Sequence, residues 1–376
     1  MKHQAALFSF LLALGLSACM EPQPAPELVE KPSSDFNLET LAEGLRSPWA
    51  VAELEGNAYL ITEKPGALIR FSDGNRTEIE GLPADILAEG QGGLLDVKLA
   101  PDFAETREIY LSYAYGTMEA NGTALMRATL DGNELKDATT IFRASPPKSG
   151  SQHFGSRIAF LPDDTLILTL GDGFAFREDA QKPETHLGKI VRLTRDGGVP
   201  QDNPFLGQDG YKTQIYSMGH RNVQGLAYDA ETNTLWEHEH GPRGGDELNI
   251  LTGGENYGWP LVTKGVDYNG ARITPFEDKD GYVEAIHSWV PSIAPSGLVI
   301  YRGDMFPDWN GDALIGGLAS RDLRRVDLEN GTSVKEVDLL SDLDMRIRDV
   351  RVAADGSVLI LTDDPENGQL IRLSPK

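Results

Sequence analysis

Short apolar runs alternate with polar turns along nearly the whole chain, and almost no segment repeats its apolar residues at the spacing of an amphipathic helix. The chain therefore reads as nearly all β. The runs come in pairs, the second often carries an arginine, and each pair turns on Asp-Gly, Asn-Gly or a similar signal. Six pairs stand out: AYLITEKPGALIRFSDG from Ala58; EIYLSYA from Glu108 with ALMRATLDGN from Ala124; TLILTLGDG from Thr165 with GKIVRLTRDGG from Gly188; TLWEHEHGPRGGDELNIL from Thr234; ALIGGLASRDLRRVDLENG from Ala313; and VLILTDDPENGQLIRL from Val358. About 340 residues shared among six units gives roughly 56 each, enough for a four-stranded blade with long loops. The predicted fold is all-β, a six-bladed β-propeller with four-stranded antiparallel blades. A β-sandwich of two Greek keys is the alternative, disfavoured by the repeated paired-strand signature.

The pattern breaks at the N-terminus. Lys2 and His3 precede an apolar run from Ala5 to Leu16, followed by Leu16-Ser17-Ala18-Cys19. A basic start, a short apolar core and small residues before a cut mark a secretory signal, and the run is shorter than the ~20 residues that span a bilayer. The site resembles a bacterial lipobox. Residues 1–18 are thus expected to be a lipoprotein signal peptide and Cys19 a lipid anchor. Cys19 is the only cysteine, which excludes an internal disulfide. Met20 stands where an aspartate would resemble an inner-membrane retention signal, which favours the periplasmic side of the outer membrane; without lipid the protein would be soluble in the periplasm. Residues 19–37, rich in Pro, Glu and Ser, are expected to be a flexible tether. Residues 38–376 are left for the propeller. A net charge of −24 repels phosphate backbones, so nucleic acid is not an expected partner, and membrane contact is expected only through the anchor.

In a propeller the innermost strand of each blade lines a central channel, and loops on one face converge on its mouth. Strand ends that run into charged or glycine-rich loops are therefore the places to look: Glu63, Asp172, the stretch from His238 to Asp246, and Asp363. His153 in SQHFG precedes Asp172 in LGDG. A histidine with one ring nitrogen bonded to a carboxylate can act as a general base through the other, although a purely structural histidine has the same signature. Arg346 and Arg348, two apart on a strand, present one cationic face, either to an anionic ligand or to acidic neighbours. His220, Arg221 and Asn222 in GHRN sit at another strand-to-turn junction. Residues 238 to 260 form the densest loop, where Gly-Pro carbonyls and carboxylates are the hard oxygen donors that calcium takes, without EF-hand spacing. Zinc has less support, since His238 and His240 lack a visible third ligand. No Walker loop, G-x-G-x-x-G or G-x-S-x-G elbow occurs, so nucleotide cofactors and serine hydrolase chemistry lack support.

GLRSPWAVAEL, EGQGGLLDVKLAPDF, SQHFGSRIAF, LGDG, GHRNVQGLAYD, EHGPRGGDELN, ENYGWP and RIRDVRVAADGSVLILTDD, in that order from about Leu41 to the C-terminus, resemble the glucose/sorbosone dehydrogenase family, specifically its soluble aldose sugar dehydrogenases dependent on pyrroloquinoline quinone (PQQ). The resemblance implies a six-bladed propeller, in agreement with the repeat count. It implies oxidation of aldoses at the anomeric carbon to lactones, with PQQ and Ca2+ as cofactors and a quinone or similar electron acceptor. Carried over by position, it makes His153 the general base on the sugar C1 hydroxyl and Asp172 the group that orients it. Gln91, Arg221, Asn222, Arg346 and Arg348 hold PQQ, whose carboxylates suit arginine. The carbonyls of Gly241 and Pro242 ligate the calcium that also binds PQQ, while Glu247 and Tyr257, joined by Asp246, form a second, structural calcium site.

One position departs from the family. A lysine usually follows the Leu of the fifth-blade strand and contacts the cofactor, but this chain reads GGLASRDLRRV, with Ala319 and Ser320 there and Arg321 or a main-chain group as substitutes. Two other readings stay open. A calcium-dependent lactonase or esterase on a six-bladed propeller would use calcium and a histidine but not the arginines. A non-enzymatic binding propeller would offer its channel mouth to a partner protein and would not need His153.

Overall fold

The computed structural model describes residues 28–376. The predicted signal peptide, Cys19 and the first part of the predicted tether lie outside the described residues. The chain folds into six antiparallel four-stranded sheets, the blades of a propeller. The first blade is Pro48–Leu54, Ala58–Glu63, Ala67–Ser72 and Asn75–Ile79. The second is Leu94–Leu99, Glu108–Gly116, Asn121–Asp131 and Glu134–Arg143. Ile158–Phe160, Thr165–Thr169, Lys189–Thr194 and Ile215–Met218 make the third, and Val223–Asp229, Thr234–Glu239, Asp246–Ile250 and His287–Trp289 the fourth. The fifth is Pro295–Ile300, Ala313–Gly317, Leu323–Glu329 and Thr332–Leu339. The sixth takes Ile347–Val352, Val358–Thr362 and Gly368–Pro375 from the C-terminus and its outer strand, Phe36–Leu45, from the other end of the chain, which closes the ring.

The first strands of successive blades pack against one another around the axis. All six paired runs read from the sequence are the second and third strands of successive blades. Those strands lie between neighbouring blades; Thr165–Thr169 and Val358–Thr362 are buried at every position. Apolar clusters fill the spaces between blades, with Leu60, Leu111 and Met126 between the first and second and Leu314, Val350 and Ile360 between the fifth and sixth. Each such side chain contributes about 1.5–3 kcal/mol by leaving water.

The tether is shorter than the composition predicts. Leu28–Lys31 runs parallel to Thr332–Leu339 as a fifth strand on the fifth blade. Ser33 bonds Asp342 through its N–H at 2.7 Å and its hydroxyl at 2.6 Å, and the buried Phe36 meets Phe306 and Trp309 edge-on. The physical reason is the outer strand of the fifth blade, whose unpaired N–H and C=O groups are satisfied by an extended segment whatever its side chains.

Charge fills the channel. Arg157 Nη1 lies 3.0 Å from Asp349 and 3.5 Å from Asp96, and Arg351 lies 3.0 Å from Asp96 and 3.2 Å from Asp349. Trp49 stacks beneath the Arg157 guanidinium at 4.0 Å. Two cations face two anions in this plug, and it forms the floor of the mouth above it.

Candidate active site

Strands alternate in direction, so links between blades and turns between second and third strands emerge on one face. Gln91 lies in the link from the first blade to the second, His153 in that from the second to the third, Arg221 and Asn222 in the next, and Arg346 between the fifth and sixth. Lys64, Asp172, the Gly241-Pro242 turn and Asp363 lie in or beside second-to-third turns. Residues far apart in sequence thus share one mouth. At its centre is a cavity of about 290 Å³ lined by Lys64, Gln91, Asn222, Arg346, Arg348 and Asp363, among others.

His153 Nδ1 lies 2.6 Å from Asp172 Oδ1. The same oxygen accepts the Phe174 N–H at 2.7 Å, and Oδ2 accepts Trp259 Nε1–H at 2.7 Å. The His153 N–H donates to Gln91 Oε1 at 2.8 Å. His153 itself has φ +55, a left-handed conformation that a histidine adopts only when its surroundings impose it. Gly171 is part of that imposition, because a Cβ there would lie 2.2 Å from the His153 carbonyl. At Gly155, φ +64, a Cβ would lie 2.6 Å from the Leu170 carbonyl carbon. The glycines of HFG and LGDG thus let the loop lie flat on the strand end.

Burial pushes the His153 pKa below its usual value, and the hydrogen bond and charge of Asp172 offset this only in part. The imidazole is neutral at pH 7. For Asp172 burial acts upward, but the His153 hydrogen bond, the charges of His153 and Arg221 and the Phe174 N–H outweigh it, and the carboxyl stays below its usual range. An ionised Asp172 fixes the proton on Nδ1 and leaves Nε2 with the free lone pair. That is the arrangement of a general base.

Arg346 grips Asp363 Oδ2 at 2.9 and 2.7 Å, and Arg348 reaches Asp363 Oδ1 at 3.2 Å. The structural ion pair and the shared cationic face expected of these arginines are both present. Lys64 Nζ donates to the Gly90 carbonyl at 3.2 Å; burial and then the charges of Arg348 and Arg346 lower its pKa. Three cations against one carboxylate leave the rim with two surplus positive charges. In the segment lacking the family lysine, Ser320 bonds Asp322 at 2.6 Å and Arg321 pairs with Asp344. Arg321 borders a neighbouring cavity of about 540 Å³, whereas Lys64 lines both that cavity and the central one. Lys64 is therefore the lysine that stands beside Arg346 and Arg348.

The predicted calcium ligands are only partly brought together. Arg221 Nη1 donates to the carbonyls of His240 at 3.0 Å and Gly241 at 2.6 Å, and its Nη2 to Tyr268 at 3.1 Å. Arg221 thus occupies one lone pair of the Gly241 carbonyl, and Pro242 is buried in the same turn. Glu247 and Tyr257 do line one cavity. Asp246 does not join them. Its oxygens accept the Gly241 N–H at 2.8 Å, the Ser292 hydroxyl at 2.6 Å and the N–H groups of Ile293 and Ala294 at 2.9 and 3.0 Å, so it clamps the turn to the loop beyond. The Tyr257 hydroxyl is likewise engaged, by the Ile250 carbonyl and the Thr252 N–H. Asn222 Oδ1 accepts from the Gly155 N–H at 3.1 Å, which ties the arginine link to the histidine loop. Trp259, the second partner of Asp172, escaped the sequence reading although it stands in the quoted stretch ENYGWP. It arrives on the long third-to-fourth link of the fourth blade, which folds back to the mouth and bonds Gly219.

Residues 45–372 match the model of the family described as Glucose / Sorbosone dehydrogenase. The chain belongs to that family. Aldose sugar dehydrogenase YliI of Escherichia coli (strain K12) is 40% identical over 348 residues, which cover 90% of this chain and 93% of that protein. The apo crystal structure of the soluble aldose sugar dehydrogenase from Escherichia coli superposes with a TM-score of 0.87 at 40% identity, covering 91% of this chain and all of that one. The PQQ-bound aldose sugar dehydrogenase from Streptomyces coelicolor superposes at 0.73 with 27% identity, covering 92% of this chain and all of the other. These relatives are aldose sugar dehydrogenases, and one of them holds PQQ.

Proposed function

We propose that this protein oxidises aldoses at the anomeric carbon to lactones with PQQ and Ca2+, and passes the electrons to a quinone or similar acceptor. The observation that carries the reading is a neutral His153, held by an ionised Asp172, whose chain neighbours Phe154 and Gly155 line a cavity with two surplus positive charges. A multiply charged carboxylate ligand fits that surplus. A lactonase or a protein-binding propeller has no use for it. PQQ, when bound, supplies the hydride acceptor, and Ca2+ the Lewis acid on its quinone carbonyl.

The chain's own groups divide the work. Lys64, Arg346 and Arg348 would hold carboxylates by charge-assisted bonds, and the amide nitrogens of Gln91 and Asn222 remain as donors. His153 Nε2 takes the C1 hydroxyl proton, and Asp172 stabilises the resulting imidazolium. Phe174, exposed at the mouth and edge-on to the His153 ring at 5.1 Å, offers an apolar surface to the C–H face of a sugar. Calcium at the Gly241-Pro242 turn would share the Gly241 carbonyl with Arg221 or displace its guanidinium. The lipobox-like N-terminus supports export and anchoring through Cys19 on the periplasmic side of the outer membrane.

The test is a dye-linked dehydrogenase assay on glucose and other aldoses, using protein that lacks residues 1–19. Turnover that requires both PQQ and Ca2+, and disappears in His153→Ala, is the expected result. Absence of turnover together with an unchanged PQQ absorbance spectrum would defeat the reading, and lactone hydrolysis by the same sample would favour the hydrolase instead.

A further inference from the structure

Below the mouth lies a second cluster that the proposed oxidation does not use. Glu237 and Glu239 are two apart on the strand Thr234–Glu239, so their carboxylates leave the sheet on the same face. His220 meets them from the link between the third and fourth blades. Its Nδ1 lies 3.9 Å from Glu237 Oε1 and 3.7 Å from Glu239 Oε1, and one donor atom from each residue falls within 4.8 Å of the others. His220 and Glu237 are fully buried and Glu239 nearly so.

Two atoms of the cluster, His220 Nδ1 and Glu237 Oε2, have no hydrogen-bond partner. Among the described residues the only basic side chain with a nitrogen within 4 Å of either carboxylate is His220. The cross-strand neighbour of Glu239 is another acid, Glu247. An unsatisfied buried polar atom costs about 1–3 kcal/mol, and a buried carboxylate without a cation costs more. One divalent cation would satisfy both orphaned atoms and the charge.

We propose that His220, Glu237 and Glu239 bind a zinc ion, at a site that adjoins the predicted Glu247-Tyr257 calcium position but uses a different set of side chains. An imidazole nitrogen with two carboxylate oxygens is a donor set that zinc accepts, with water as the fourth ligand, whereas calcium takes oxygen alone. A tetrahedral zinc site has ligand atoms about 3.4 Å apart, so the histidine pairs, at 3.9 and 3.7 Å, close by about 0.3–0.5 Å, and the two carboxylates, within 4.8 Å, by about 1.4 Å at most. The histidine is already oriented for it. Its Nε2 lies 2.8 Å from Ser217 Oγ and its ring stacks on Tyr257 at 4.6 Å, the outer support that a metal-bound histidine normally has. Asn249 Nδ2 holds Glu237 Oε1 at 2.8 Å. Glu239 lines a small cavity with Glu247 and Tyr257, which gives an ion a way in. Glu239 Oε2 also accepts the Arg221 N–H, so the ion would stiffen the link that carries Arg221 and Asn222.

The rival occupant is a proton on Glu237. To separate the two, the chelator-stripped protein is equilibrated with micromolar zinc in excess calcium, which blocks the oxygen-only sites, and its metal content is measured. One retained equivalent of zinc, lost in both Glu237→Gln and His220→Gln, is expected. Cobalt in place of zinc would add a visible absorption band that the variants lack. Should His220→Gln fail to fold, the near-isosteric Glu237→Gln and the wild-type stoichiometry still decide. Wild-type protein that retains no zinc, or variants that retain it equally, would overturn the proposal. Neither result depends on PQQ, so the fate of the oxidoreductase reading is separate.

Discussion

Asp172 commits both carboxylate oxygens to fixing one histidine and one loop, so its charge and its shape are separable by substitution. Asp172→Asn keeps the shape and removes the charge that puts the proton on His153 Nδ1. We expect kcat to fall by about 10²–10⁴, in line with the loss of a tautomer-fixing carboxylate elsewhere, with KM little changed, as steady-state kinetics would register. The pH profile gives a second reading of the same pair. Since burial holds the His153 pKa below its usual value of 6.5, the neutral base persists below that pH, and the acid limb of kcat/KM should fall there. Asp172 acts upward on that pKa, so in Asp172→Asn the limb should move further down. A wild-type limb near pH 7.5 would show that some other group is titrating. Lys64→Gln should weaken PQQ binding about two- to fivefold, as expected for one partly screened ionic contact, and leave kcat at saturating cofactor unaltered; a PQQ absorbance titration reports it. An unchanged affinity would leave the rim charge to the arginines alone. His153 and Asp172 were legible because both sit in recognisable local motifs. Trp259 bonds across 87 positions of chain, and Lys64 pairs with nothing nearby in sequence. Contacts of that kind leave no periodicity to read.

Strands buried on both faces announce themselves, and the others do not. The second and third strands of every blade were visible as apolar runs because neighbouring blades cover them on either side. Inner strands interrupt the pattern with channel charges, as Asp96 does in Leu94–Leu99, or are as short as Ile158–Phe160. Outer strands such as Asn75–Ile79 are half exposed and polar. Leu28–Lys31 was read as tether for the same reason, since no residue of it is fully buried and only backbone pairing attaches it. Its contribution to stability should accordingly be small. A chain starting at Ser33 should lose about 1 kcal/mol or less, whereas one starting at Arg46 also loses Phe36–Leu45, with the buried Phe36, Ala42 and Leu45, and should cost several kcal/mol or fail to fold. Thermal unfolding followed by circular dichroism compares the two. Equal stability of the longer truncation and the parent would mean that the sixth blade does not need its N-terminal strand.

At the scale of the whole molecule, the ring is joined at its centre as well as at its closing blade. Arg157, from the third blade, contacts Asp96 of the second and Asp349 of the sixth, and donates to the Gln224 carbonyl of the fourth at 2.8 Å. It also donates to the Arg348 carbonyl at 3.1 Å, and so connects the plug to a residue of the mouth. Removing one member of a buried ion network is costly because its partners keep their charge away from water. Arg157→Met should therefore lower stability by about 3–5 kcal/mol, measured by urea unfolding. Neutralising a partner at the same time, in Arg157→Met with Asp349→Asn, should restore part of that loss, since the penalty lies in the stranded charge more than in the missing contact. If the single variant is as stable as the parent, the four charges do not interact as the geometry indicates. If the double variant is no better than the single, the loss comes from the carbonyl bonds and the Trp49 stack, and Arg157 holds the blades together as a hydrogen-bond donor, with its charge incidental.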